Sequence, residues 1–266
     1  HKMPLVEIVR PDTAAADAVA TGVRFVLDMG KTPVVVADRA GFLVNRLLSP
    51  YLSEAGRLLT EGAGIEHVDE VFTEFGMPMG PLRLLDEVGF DIAEHAGREM
   101  AAAFGARLET AEVIDRLIDS GRLGKKNGRG FYLYRDGKST GVDPAAAEVA
   151  RGGPASTRDG PARPPADEEI RDRCLFLMVN EAAYALEDEV VEGPDMVDLA
   201  MIMGTGFPPF RGGLLRWADD VGVRTIRDRL AQFAETHGRR FTPAPLLERM
   251  ADQNRTFTHS PETALP

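Results

Sequence analysis

A glutamate inside a strand-like apolar run, Met3-Pro4-Leu5-Val6-Glu7-Ile8-Val9, is the first place in this 266-residue chain where residue type and setting point to chemistry. A buried carboxylate needs a partner, because an unpaired buried charge is either costly or neutralised by a shifted pKa. Upstream the chain offers only His1 and Lys2. Two readings of Glu7 stand side by side. One is a strand-edge carboxylate facing water, the common fate of glutamate. The other is a carboxylate that orients a histidine and stabilises its protonated form. Asn45 is the second candidate. Helical spacing sets it on an apolar face with Leu48 and Leu52. An amide there either satisfies a structural hydrogen bond or holds a substrate carbonyl or hydroxyl, since it carries both a donor and an acceptor. Two further motifs invite a phosphate. Gly204-Thr205-Gly206-Phe207-Pro208-Pro209-Phe210-Arg211-Gly212-Gly213 follows no strand, so it reads as tight packing of a helix connection rather than a dinucleotide loop. Lys125 and Lys126, in the glycine-punctuated turn Gly124 to Gly130, can meet a phosphate, but a solvated basic turn is the commoner case.

The elements that must position these residues belong to a globular chain: 44% of residues are hydrophobic and 27% charged. The length suits one large or two modest domains. The formal net charge of −11 argues against a nucleic-acid partner and against an anionic membrane surface. Cys174 is the one cysteine, which removes disulfide frameworks and cysteine metal sites and fits a reducing, cytoplasmic setting. The five histidines lack metal-ligand spacing. No apolar run reaches the length of a membrane span.

Residues 3–9 read as a strand. Asp12 is the predicted N-cap of a helix from Ala14 to Leu27, ended by Gly30, and Thr32 to Ala37 is a second strand. This is the strand–helix–strand unit of a parallel sheet. Two such strands are marginal alone, so residues 1–39 are either strapped onto another domain or are the remnant of a larger one. From Gly41 the pattern turns helical: Leu43–Leu59 with a break expected at Pro50, Ile65–Phe75, Leu82–Val88, Phe90–Phe104 and Ala111–Asp119. Residues 135–167, rich in Gly, Pro and charge, read as a linker with at most a short helix near Ala145–Ala150. Helical periodicity resumes from Glu168 to Glu187.

The second helical block repeats the first. Asn45-Arg46, Leu48, Leu52, Glu54-Ala55 and Leu59 match Asp172-Arg173, Leu175, Val179, Glu181-Ala182 and Leu186. Val68-Asp69 matches Val197-Asp198. Gly76, Pro78 and Gly80 match Gly206, Pro208 and Gly212, and Asp86 with Gly89 matches Asp220 with Gly222. The shared order indicates a duplication packed as a pseudo-twofold pair, over residues 40–134 and 168–266.

Taken together, the run His1 to Glu7, Gly41-Phe42-Leu43-Val44-Asn45-Arg46, Pro78-Met79-Gly80-Pro81 with Leu84-Leu85-Asp86, and Gly124 to Tyr132 resembles the 3-hydroxyacyl-CoA dehydrogenases. With the second block, it looks like the form found in multifunctional fatty-acid β-oxidation subunits. The resemblance implies a mainly α fold: two tandem helical domains like the C-terminal domain of 6-phosphogluconate dehydrogenase, preceded by a strand–helix–strand remnant of a Rossmann domain. It implies NAD as cofactor, an (S)-3-hydroxyacyl-CoA as substrate and its 3-keto product. It also implies upstream hydratase and NAD-binding domains in the intact protein, and admits a thiolase subunit as partner. In that family a histidine takes the hydroxyl proton, a glutamate pairs with the histidine, and the matching position is Glu7. The asparagine near the reacting carbon corresponds to Asn45. A substrate contact before the second-repeat glycine run, often tyrosine, falls on Met203, which can offer only an apolar contact.

The departures carry a further expectation. The catalytic histidine of the resemblance opens a His-Phe-Phe-Asn-Pro run that would precede residue 1, and His1 matches a later, non-catalytic position. The dinucleotide loop would also lie upstream. Residues 1–266 alone are therefore expected to be inactive, with an exposed, adhesive strand edge on residues 1–39. The alternative is a non-catalytic helical module for acyl-CoA binding or assembly, because a helical fold alone does not choose a function.

Overall fold

In the computed structural model, residues 3–152 and 164–258 are described; His1, Lys2, part of the expected linker, 153–163, and the end of the expected second domain, 259–266, lie outside them. The chain is mainly helical. It forms two compact units, His1–Leu48 with Phe176–Pro266, and Ser49–Leu175. Both boundaries fall inside helices, α2 (Val44–Thr60) and α8 (Asp167–Glu187). Each unit therefore draws on both repeats.

The first unit opens with β1 (Leu5–Arg10), α1 (Ala16–Asp28) and β2 (Thr32–Ala37). The strands pair in parallel, Leu5 opposite Thr32 and Arg10 opposite Ala37. Helix α1 begins later than expected. Ala14 N–H donates to the Pro11 carbonyl at 2.9 Å, which commits Asp12 and Thr13 to a turn. Ala15, in an extended conformation, takes the N-cap position without a side-chain bond, so Asp12 caps nothing. Much of α1 stays open, with Phe25 at 64% and Leu27 at 53% exposure. The other layer is helical: the C-terminal half of α8, α9 (Pro194–Thr205), α10 (Leu214–Val221), α11 (Val223–His237) and α12 (Pro245–Asp252). Its core holds Phe176, Phe207 and Trp217, with Phe233 against Phe241. Asn180 is buried and bonded at both ends of its amide: its Nδ2 donates to the Thr242 carbonyl (2.9 Å) and its Oδ1 accepts from Ala244 N–H (2.7 Å).

The second unit holds the rest of α2, α3 (Ile65–Phe75), α4 (Pro81–Val88), α5 (Phe90–Phe104), α6 (Val113–Asp119), α7 (Pro144–Ala150) and the start of α8. Helix α2 runs unbroken through Pro50. The break expected there does not occur: a proline removes one N–H, and the burial of Tyr51, Ala55 and Leu58 keeps the helix in place. The stretch read as a linker is partly built structure. Strands β3 (Tyr132–Arg135) and β4 (Lys138–Val142) form an antiparallel hairpin, and Asp143 caps α7 by accepting from Ala145 N–H at 3.0 Å. The hairpin turn is Asp136-Gly137, both with positive φ (50° and 73°), as a two-residue turn of this kind requires.

Buried carboxylates organise both repeats in the same way. Asp69 accepts from Leu82 and Arg83 N–H (2.9 and 3.0 Å) at the start of α4, and Asp198 accepts from Leu215 and Arg216 N–H (2.6 and 3.1 Å) at the start of α10. Each needs an adjacent glycine. A Cβ on Gly80 would lie 2.2 Å from Asp69 Oδ1, and one on Gly213 would lie 2.4 Å from Asp198 Cβ. Gly80 thus corresponds to Gly213, one residue beyond the match read from the glycine pattern. Asp86 accepts from Phe131 and Tyr132 N–H, both at 2.9 Å, and Asp219 accepts from Phe257 and Thr258 N–H, both at 2.8 Å. The counterpart of Asp86 is therefore Asp219 and not Asp220.

Two arginines with no exposed side-chain surface complete the core. In the first unit Arg46 Nε donates to Glu181 Oε1 at 2.7 Å, and its Nη2 to Asp188 Oδ2 at 2.6 Å. In the second, Arg173 Nε donates to Glu54 Oε1 at 2.8 Å, and its Nη2 to Glu61 Oε1 at 2.8 Å. Removing one partner of a buried pair strands the other charge. Arg173→Met is expected to destabilise the protein by about 3–5 kcal/mol, read as a drop in the urea midpoint, whereas Arg173→Met with Glu54→Leu recovers much of it. Burial also pushes the Asp69 and Asp86 carboxyls up from 3.8 to about 6, against the hydrogen bonds they accept. The folded chain then holds these protons more tightly than the unfolded chain. Their contribution to stability is full below the unfolded value and declines as pH rises through about 6. Carbon-13 titration of the two carboxyls is expected to give midpoints near 6, apart from the exposed aspartates.

Candidate functional site

Glu7 stands on β1 and reaches the N-terminus of α2. Its Oε1 accepts from Leu43 N–H at 2.9 Å and from Val44 N–H at 3.2 Å. These are donors that a helix start leaves without intrahelical partners, and the positive end of the helix dipole favours a carboxylate there. The backbone is bent to deliver them. Gly41 and Phe42 both have positive φ (70° and 48°), and Phe42 is a bulky side chain in a region that suits glycine. Phe42 N–H closes a turn on the Arg39 carbonyl at 3.0 Å, and Arg46 N–H bonds the Gly41 carbonyl at 3.2 Å. Burial raises the Glu7 pKa, and the two N–H bonds oppose that shift. Among the described residues Oε2 accepts no hydrogen bond. The carboxylate is half-buried: neither reading from sequence foresaw that its partner is the backbone of α2.

Asn45 follows Val44 directly, on the first turn of α2, and its side chain is exposed. It does not lie on the buried face, as the spacing with Leu48 and Leu52 suggested. Leu43, Leu47, Tyr51, Ala55 and Leu58 form that face, while Leu48 and Leu52 are only half-buried. At 100° per residue, Asn45 falls on the opposite side, where its amide is open to a ligand. Met203 is half-buried near the end of α9, which packs on β1 and β2. Its neighbour Gly204 makes the approach possible: a Cβ there would lie 2.8 Å from Leu5 Cδ2 and 3.1 Å from Val44 Cγ2. Leu5 shares a face of β1 with Glu7, since alternate strand residues point the same way. The first unit thus gathers Glu7, the Asn45 turn and the end of α9 around one helix start.

Other motifs resolve into structure. Lys125 pairs with Glu87 at 2.8 Å and Lys126 pairs with Asp91. Gly206 ends α9 in the left-handed region and Phe207 is fully buried, so the second-repeat glycine run packs a helix connection. Among the described residues no three histidine, cysteine or carboxylate side chains are grouped to hold a metal ion, and no helix is long and apolar enough to cross a membrane. The β1–α1 connection, Pro11-Asp12-Thr13-Ala14-Ala15, has no glycine, and acidic Asp12 and Asp17 flank the helix start. It does not fit the pyrophosphate of a dinucleotide.

The profile for the 3-hydroxyacyl-CoA dehydrogenase C-terminal domain matches residues 41–134 and again 170–264, and the profile for the family's NAD binding domain matches residues 1–39. The chain belongs to the 3-hydroxyacyl-CoA dehydrogenase family. It is 44% identical over 257 residues to the fatty acid oxidation complex subunit alpha of Idiomarina loihiensis; the match covers 96% of this chain but 35% of that protein. The structure resembles 3-hydroxybutyryl-CoA dehydrogenase from Escherichia coli K12, with a TM-score of 0.77, 26% identity, and coverage of 95% of this chain and 68% of that one. It also resembles the dehydrogenase part of multifunctional enzyme 1 from C. elegans, with a TM-score of 0.68, 25% identity, and coverage of 93% and 56%. The twofold profile match establishes the duplication independently of the contacts.

Sequence reading missed Arg46 as the buried anchor beside Asn45, although its match to Arg173 in the repeat was a usable signal. Gly204→Val is expected to destabilise the protein by about 1–3 kcal/mol, because the added side chain meets Leu5 and Val44. Asn45→Ala, at an exposed position, is expected to stay within about 0.5 kcal/mol of the parent. Paired urea denaturation curves check both.

Proposed function

We propose that the intact protein carrying this chain is an NAD-dependent dehydrogenase of (S)-3-hydroxyacyl-CoA substrates in fatty-acid β-oxidation, and that these 266 residues supply its substrate side. The observation that carries the reading is the half-used carboxylate of Glu7. One oxygen is fixed by two backbone N–H groups, and the other is left to accept from a base. A carboxylate held in this way can orient an imidazole and favour its protonated form as the substrate hydroxyl gives up its proton. Asn45, exposed on the same helix start, can donate to the developing carbonyl. Met203, beside Gly204, offers an apolar contact to the acyl chain.

The cofactor is held elsewhere in the intact protein, because the β1–α1 connection does not suit a dinucleotide. The resemblance to a complex subunit supports further domains and a thiolase subunit as partners. Residues 1–266 alone are inactive on this reading, since they bring neither the histidine nor a dinucleotide loop.

The test is NADH formation with 3-hydroxybutyryl-CoA. The intact protein is expected to turn over, and residues 1–266 are not. Glu7→Gln in the intact protein is expected to lower kcat by about 10²–10⁴, with a smaller effect on KM. Robust turnover by the 266-residue chain, or an unchanged kcat in the variant, defeats the proposal.

A further inference from the structure

Residues 188–190, which leave the end of α8, touch both ends of the connection that carries the candidate site. Asp188 Oδ2 accepts from Arg46 Nη2 at 2.6 Å, on the turn of α2 that bears Asn45. The Val190 carbonyl accepts from the N–H of Ala37, the last residue of β2, at 2.8 Å. Between them Glu189 has φ +53°, a left-handed conformation that a side chain rarely adopts. That turn brings the Asp188 carboxylate and the Val190 carbonyl to their two targets. Val190 and Val191 are buried, at 1% and 6% exposure, so the segment is anchored behind its polar contacts. The residues it brackets, Asp38 to Leu43, include the strained Gly41–Phe42 pair and end at the N–H groups that hold Glu7.

We infer that Asp188-Glu189-Val190 is a positioning strap. It is a segment of the second repeat that fixes the β2–α2 connection and so sets the place of Asn45 relative to Glu7. The inference rests on the reading of those two residues given above. It assigns a positioning task to three residues that lie behind the Glu7–Asn45 helix start. It also differs from a general stabilising role. Asp188 is 46% exposed although Arg46 is fully buried, so the pair opens to solvent on the carboxylate side and its loss costs less global stability than loss of the fully buried Arg46–Glu181 pair. Arg46 keeps Glu181 when Asp188 is lost. Loosening the strap therefore changes position more than folding.

Asp188→Asn and Asp188→Glu separate these roles. In the 266-residue chain, Asp188→Asn is expected to speed amide hydrogen exchange at Ala37, Leu43 and Val44 by about tenfold, with little change in the core amides of α10 and α11 or in the unfolding midpoint. In the intact protein it is expected to lower kcat by about ten- to a hundredfold while KM moves by less than about twofold, and Asp188→Glu is expected to restore most of the loss. Unchanged exchange at the three amides overturns the strap whatever the activity. So does an unchanged kcat in an active parent. An inactive parent counts against the proposed function alone, because the exchange experiment still decides the strap.

Discussion

Each of the two units is built around one buried arginine paired with a buried glutamate. Arg46 and Arg173 occupy matching places in the two repeats. Each pairs with a glutamate of the other repeat, Glu181 in one unit and Glu54 in the other. The side chains of both arginines and of Glu54 have no exposed surface, and that of Glu181 has 2%. A charge in such a place tolerates no substitute for its partner. An apolar core of equal volume would serve stability as well. The crossed pairs specify which helix segment meets which.

The candidate site inherits that precision. Asn45 precedes Arg46, and the N–H groups that hold Glu7 belong to the same helix start. The helix start is therefore fixed from three sides: by the strand carboxylate, by the buried guanidinium, and by the close approach of Gly204. Strain at Phe42 persists because the surroundings over-determine it. In this chain the Glu7 carboxylate and the Asn45 turn are held to one helix start by backbone amides and a buried guanidinium.

Much of this was legible in the chain itself. The amphipathic helices follow from apolar spacing, and the duplication follows from polar residues that recur in order. What escaped depended on contacts that pattern does not record. Glu7 takes its partners from the N–H groups of Leu43 and Val44, and backbone amides leave no mark on a sequence. Asn45 was placed on the wrong face because Leu48 and Leu52 were counted as core, when the burial runs through Leu47 and Tyr51. The repeat matched one glycine too early, because Gly212 and Gly213 are adjacent and only the approach of Asp198 distinguishes them. The β3–β4 hairpin was overlooked within a segment judged by composition, although Asp136-Gly137 is a strong turn signal.

The placement of the unit boundaries inside α2 and α8 has an evolutionary consequence. A crossover between genes at the edge of either repeat would cleave both hydrophobic cores at once and strand an arginine in each half. An insertion or deletion within α2 or α8 would therefore disturb both units at once, whereas one in a surface loop would disturb only one.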